Sequence, residues 1–121
     1  MEQGLHVVLG ASPRPERYAN MAVKRLRRAG IELWAVGLRP GWIDDTPIHT
    51  VLPVGRPVHT VTLYVGPAGL ESWMDRLLAL EPRRIIFNPG TEHPAFATRA
   101  SALGVEVVEG CTLVMLSAGT Y

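Results

Sequence analysis

The chain has 121 residues, 47% of them apolar, and carries 12 Lys and Arg against 11 Asp and Glu. That length suits one domain over residues 1–121, and is too short for a catalytic domain plus a separate cofactor domain. No apolar run approaches the ~20 residues of a bilayer-spanning helix, Met1–Gly4 lacks the features of a signal peptide, and the single Cys111 excludes an internal disulfide, so a soluble cytoplasmic chain without a membrane partner is expected.

The charge is unevenly placed. Residues 1–40 hold seven basic side chains (Arg14, Arg17, Lys24, Arg25, Arg27, Arg28 and Arg39) against three acidic ones, a net +4, and the remainder is −3. A local anionic ligand fits this pattern better than nucleic acid, which usually calls for a strongly basic domain.

Leu5–Leu9 is a continuous apolar run of buried-strand length, closed by Gly10. From Tyr18 the period becomes helical: Tyr18, Ala22, Leu26 and Ala29 share a face, and Gly30 stands where a helix-ending glycine belongs. Ile31–Gly37 reads as the second strand. The prolines and glycines of the next segment, 38–60, argue against regular structure through its length. Val61–Val65 is the third strand, ended by Gly66-Pro67. Leu70, Trp73, Met74, Leu77 and Leu78 then recur at the spacing of one amphipathic helix that Pro82 terminates. Arg84–Asn88 is the fourth strand, Pro94–Gly104 a helix, Val105–Gly110 the fifth strand, and Cys111–Tyr121 an apolar tail that docks as a last strand or a short helix.

Strands alternating with helices predict an α/β fold with a mainly parallel, five- or six-stranded sheet and helices on both faces. Ligands of such sheets sit beyond the carboxyl ends of the strands. The candidate site is therefore Gly10, Ala11, Ser12, Pro13 and Arg14, with Gly37–Arg39, Gly66 and Pro67, Asn88, Pro89, Gly90 and Thr91, and Cys111 at its margin. A glycine at the end of a first strand lets backbone N–H groups approach an anion at the N-terminus of the next helix. On spacing alone two readings stand: a phosphate cradle closed by Arg14, or a plain turn with Ser12 as helix cap, because the dinucleotide fingerprint has three glycines where this loop has one. Arg39 takes the place where NAD-binding folds usually put an acid for the ribose hydroxyls. It suits either an additional ribose phosphate, as in coenzyme A or NADP, or an ordinary solvated loop.

Three stretches, "VVLGAS" with its basic helix, "NPGTEHP" and "EGCTLVMLSAGTY", resemble the small stand-alone CoA-binding proteins of bacteria, related to the amino-terminal domain of the succinyl-CoA synthetase alpha chain. The likeness covers essentially the whole chain. It departs at His93, where the family often has Asn, and in the last residues of the tail. The resemblance implies a Rossmann-like or flavodoxin-like three-layer sandwich that binds coenzyme A with its diphosphate on Gly10-Ala11-Ser12, Arg39 near a phosphate, and Gly66-Pro67 and Asn88–Gly90 along the adenosine. It implies no reaction, because the synthetase catalyses with a phosphohistidine in a second domain.

Other candidates read as structural. The four histidines have no metal-ligand spacing; His6 lies in a buried strand, and His93 is better placed to cap a helix than to transfer protons. Asp44-Asp45 is a solvated turn, Ser12 lacks the flanking glycines of a nucleophile elbow, and Trp34, Trp73 and Met74 sit at packing positions. Trp42 either stacks on adenine or shields the sheet edge. Cys111 is either buried and inert or open to thiol exchange with the coenzyme. The expected function is binding of coenzyme A or an acyl-CoA without catalysis by the isolated chain, with a small nucleotide as partner and a homodimer or partner chain as the further assembly. The alternatives are an NADP-dependent oxidoreductase fragment, an acyl-CoA ligase subunit active with a partner chain, and a nucleotide-sensing module.

Overall fold

The structure, a computed structural model, describes residues 4–121. Its strands are β1 Leu5–Leu9, β2 Leu33–Val36, β3 Gly41–Ile43, β4 Thr46–His49, β5 Val58–Leu63, β6 Arg84–Phe87 and β7 Glu106–Glu109. Its helices are α1 Tyr18–Arg28, α2 Pro67–Leu70, α3 Met74–Ala79, α4 Pro94–Ala102 and α5 Thr112–Ala118. The strands form one sheet in the order β3-β4-β2-β1-β5-β6-β7. Every pairing is parallel except that of β3 with β4.

The α/β class and the largely parallel sheet are as expected, but among the described residues the sheet has seven strands rather than five or six. The additional pair comes from the segment expected to be irregular. Gly41–Ile43 and Thr46–His49 form a hairpin in which Ile43 and Ile48 enter the core, and Asp44 turns the chain at a φ of 52°. An Asp tolerates that left-handed geometry, and strands of three and four residues are too short to impose a period on so proline-rich a stretch. The third strand of the sequence starts earlier, at Val58, and the tail is a helix ended by Gly119 at a φ of 74°. The helix expected over Leu70–Leu78 is interrupted by a 3₁₀ turn at Glu71–Trp73. Gly69 and Ser72 are poor helix formers, yet Leu70, Met74 and Leu77 keep the apolar face buried across the break.

Alternating strand residues feed two apolar layers. Val7, Leu9, Val36, Leu63 and Phe87 pack under Leu70, Leu77 and Phe96, whereas Val8, Ala35 and Ile48 pack against Ala19, Val23 and Leu26 of α1. His6 is buried in β1, with its Nδ1 2.7 Å from the Tyr121 hydroxyl. Burial pushes the Tyr121 phenol up to about 12. His93 caps α4, its Nδ1 accepting the Phe96 N–H at 3.1 Å while Nε2 faces Glu71 Oε2 at 3.3 Å.

The end of β6 carries a polar hub inside this apolar frame. Asn88 Nδ2 donates to Thr62 Oγ1 at 2.7 Å and to the Leu63 carbonyl at 2.8 Å, and its Oδ1 accepts the Thr112 N–H at 2.8 Å. Thr62 and Thr112 complete the network with hydroxyls 2.7 Å apart. Asn88→Ala leaves a buried N–H and a buried carbonyl unpaired, so it is expected to lower stability by about 3 kcal/mol, read as a fall in the urea midpoint at unchanged slope.

Candidate functional site

Chain order reverses at the centre of the sheet, since β1 is flanked by β2 on one side and β5 on the other. Crevices open at such points, beyond the carboxyl ends of the strands. A cleft of about 1030 Å³ lies there, lined by the loops that follow β1, β2, β5 and β6. Of the residues singled out in the sequence, it brings together Gly10, Ala11, Ser12, Pro13, Arg14, Gly37, Leu38, Arg39, Gly66, Pro89, Gly90 and Thr91. Pro67, Asn88, Trp42 and Cys111 are not among its lining residues. Pro67 opens α2, Asn88 is turned into the buried hub, Trp42 stands 63% exposed on edge strand β3, and Cys111 precedes α5.

The first loop is held by one acceptor. The Val36 carbonyl at the end of β2 takes both the Gly10 N–H at 2.8 Å and the Ala11 N–H at 2.9 Å. Those two donors are thus committed, and of the three backbone N–H groups in Gly10-Ala11-Ser12 only that of Ser12 has no partner among the described residues. Nor does Ser12 cap the following helix. Residues 13–17 intervene, α1 starts at Tyr18 with Arg17 at its N-cap, and Ser12 Oγ instead accepts the Arg14 N–H at 3.2 Å.

Two glycines permit this arrangement. Gly10 has a φ of 102°, and a Cβ there would stand 2.9 Å from the Tyr64 backbone. At Gly37 the constraint is close approach, because a Cβ would run into the Ala11 carbonyl oxygen. On the far wall the "NPGTE" loop is closed by its own bonds. The Asn88 carbonyl accepts from the Thr91 N–H and hydroxyl, Gly90 takes a φ of 91°, and its N–H donates to Glu92.

Arg17, Tyr18, Tyr64, Ser72 and Trp73 also line the cleft, and sequence reasoning did not single them out for it. Arg17 and Tyr18 sit at the start of α1, where the basic bias of the first forty residues was the available signal. Trp73 had the spacing of a core residue, and the 3₁₀ turn brings it to the cleft wall, with Arg76 stacked 4.2 Å above its ring. Among the described residues of the lining the charged side chains are Arg14, Arg17 and Arg39, with no carboxylate, histidine or cysteine. Burial pushes the Tyr64 phenol up to about 12, so it stays neutral near pH 7. Among the described residues no group of three or more His, Cys, Asp or Glu is placed to hold a metal, and no helix is long and apolar enough to cross a membrane.

The sequence model of the CoA binding domain family matches residues 6–117. This chain belongs to that family. Membership supports binding of coenzyme A in general. No curated protein matches the sequence. A crystal structure of an uncharacterized protein is 43% identical, with a TM-score of 0.92 and complete coverage of both chains. A protein from Thermus thermophilus is 23% identical with a TM-score of 0.85, the match covering 97% of this chain and 90% of that one. The dinucleotide-forming acetyl-coenzyme A synthetase 1 of Ca. Korarchaeum cryptofilum, in complex with phosphate and ADP, is 14% identical with a TM-score of 0.73; the match covers 88% of this chain and 25% of the synthetase. The last two are likenesses of fold.

The packing of this CoA-binding domain's first loop is open to a direct check. Gly37→Ala drives a methyl group against the Ala11 carbonyl and is expected to destabilise by about 1–3 kcal/mol. Gly41→Ala, whose Cβ would meet nothing nearer than 3.7 Å, is expected to stay within about 0.5 kcal/mol of the unsubstituted protein. Urea denaturation of the pair reads both.

Proposed function

We propose that the cleft binds coenzyme A, free or acylated, with the diphosphate against Ser12 and Arg14 and the ribose 3′-phosphate at Arg39. One observation carries this reading: among the described residues the cleft's charged groups are three arginines, with no carboxylate. Coenzyme A brings three phosphates, and guanidinium groups meet phosphate through two parallel charge-assisted hydrogen bonds. The Gly66 loop and the Pro89-Gly90 turn then flank the adenosine. A volume of about 1030 Å³ is at the upper end of small-molecule sites and suits an elongated ligand. In this reading residues 1–121 act as one binding domain whose partner is the nucleotide.

The reading extends to binding without catalysis by this chain. The described lining residues offer Ser12 but no histidine or carboxylate to activate it, and Tyr64 holds its proton at neutral pH.

In a thermal-shift titration, coenzyme A at a hundredfold excess over its dissociation constant is expected to stabilise the protein by about 2.7 kcal/mol. Stabilisation by NADP with none from coenzyme A would refute the assignment. Arg39→Ala is expected to weaken coenzyme A by about 2 kcal/mol while leaving dephospho-CoA, which lacks the 3′-phosphate, nearly unchanged. Calorimetry on the four combinations yields the coupling energy, and a value of zero would remove Arg39 from that phosphate.

A further inference from the structure

Asn20 lies on the buried face of α1 beside Ala19, Ala22 and Val23, and is only 2% exposed. An amide in so apolar a setting is unfavourable unless its hydrogen bonds are made, and Asn20 makes only some of them. Its Nδ2 donates to the Ser12 carbonyl at 2.9 Å, whereas its buried Oδ1 has no partner among the described residues. An apolar residue would serve the helix face better. What Asn20 adds is a hold on the loop that lines the cleft.

Ser12 is pinned on both sides. The preceding carbonyl, that of Ala11, packs into the space that Gly37 leaves empty, and because a trans peptide points its C=O and N–H in opposite directions, the Ser12 N–H is aimed away from Gly37. The Ser12 carbonyl on the other side belongs to a Ser-Pro peptide that has no N–H of its own to anchor it. Asn20 Nδ2 supplies the missing anchor. Between these two fixed carbonyls the residue keeps an N–H with no partner among the described residues, and its Oγ, which accepts from Arg14, retains a hydrogen to donate.

We propose that Asn20 is the positioning residue of the ligand loop: by holding the Ser12 carbonyl against α1 it presents the Ser12 N–H and hydroxyl, already oriented, to the diphosphate of the bound nucleotide. This rests on the coenzyme A reading above and names the interaction that readies one of its contacts. Donors fixed before binding need no ordering when the anion arrives, which is how preorganisation raises affinity.

The test is calorimetry with coenzyme A and dephospho-CoA on Asn20→Leu, which matches the side chain in size and removes both its donor and its unpaired acceptor. The variant is expected to keep its circular dichroism and its melting temperature, and to bind both ligands at least tenfold more weakly by the same factor, because both carry the diphosphate. Ser12→Ala is expected to weaken binding in the unsubstituted protein and to add little in the Asn20→Leu background, a non-additivity that a purely structural residue would not produce. Asn20→Ala, smaller and a stronger helix former, is expected to repeat the loss. A folded Asn20→Leu protein that binds at the original affinities, or losses that simply add, would overturn the proposal and leave the coenzyme A reading standing. Failure of both variants to fold would make Asn20 a residue of the fold and overturn it equally. Failure of the unsubstituted protein to bind either ligand would instead refute the coenzyme A reading.

Discussion

The Val36 carbonyl, accepting from Gly10 at 2.8 Å and Ala11 at 2.9 Å, is the junction from which the rest of the cleft follows. It ties the end of β1 to the end of β2 at the place where the sheet's order reverses. A double acceptor at that point demands that the chain turn at once, and Gly10 does so at a φ of 102°, where a side chain would press on the Tyr64 backbone. The turn in turn brings the Ala11 carbonyl so near β2's exit that Gly37 must also be bare. Two glycines twenty-seven positions apart therefore serve one contact.

This junction also changes what a short glycine-containing loop means. A loop of this kind is read as a ring of N–H donors waiting for an anion. Here the first two donors are consumed in holding the loop to the sheet, and of the loop's first three backbone N–H groups only that of Ser12 has no partner among the described residues. The three arginines of the cleft come from the loops after β1 and β2, which the Val36 carbonyl joins. Positive charge and loop geometry are thus concentrated at one spot by one hydrogen-bonded corner.

The opposite wall is built by different means. Asn88 directly follows β6, and its amide gathers Thr62, Leu63 and Thr112 into a buried network that fastens α5 to the sheet. From the same residue the backbone carbonyl starts the Pro89–Thr91 turn, which faces the cleft. One asparagine thereby joins the helix at the end of the chain to the loop opposite Ser12. Its side chain is a component of the frame, and what reaches the cleft is the turn it begins.

From the sequence alone came the α/β class, the β1, β2, β5, β6 and β7 strands to within a few residues, helices α1 and α4, and a cleft assembled from four loops. These are legible because continuous apolar runs, helical periods and glycine or proline stops are local signals, and because the position of ligands in parallel sheets follows from topology. The resemblance of "NPGTEHP" and "EGCTLVMLSAGTY" to CoA-binding proteins added the family, which the match over residues 6–117 shows. Tertiary structure decided the rest. The β3–β4 hairpin exists because Ile43 and Ile48 find a core to enter, a pairing that no three-residue period announces. The break at Glu71–Trp73, the diversion of Asn88 into the frame and the commitment of the Gly10 and Ala11 donors all depend on partners far off in sequence. A hydrogen bond donor carries no mark of its acceptor: Gly10 and Val36 are twenty-six residues apart, and only the folded sheet sets them face to face.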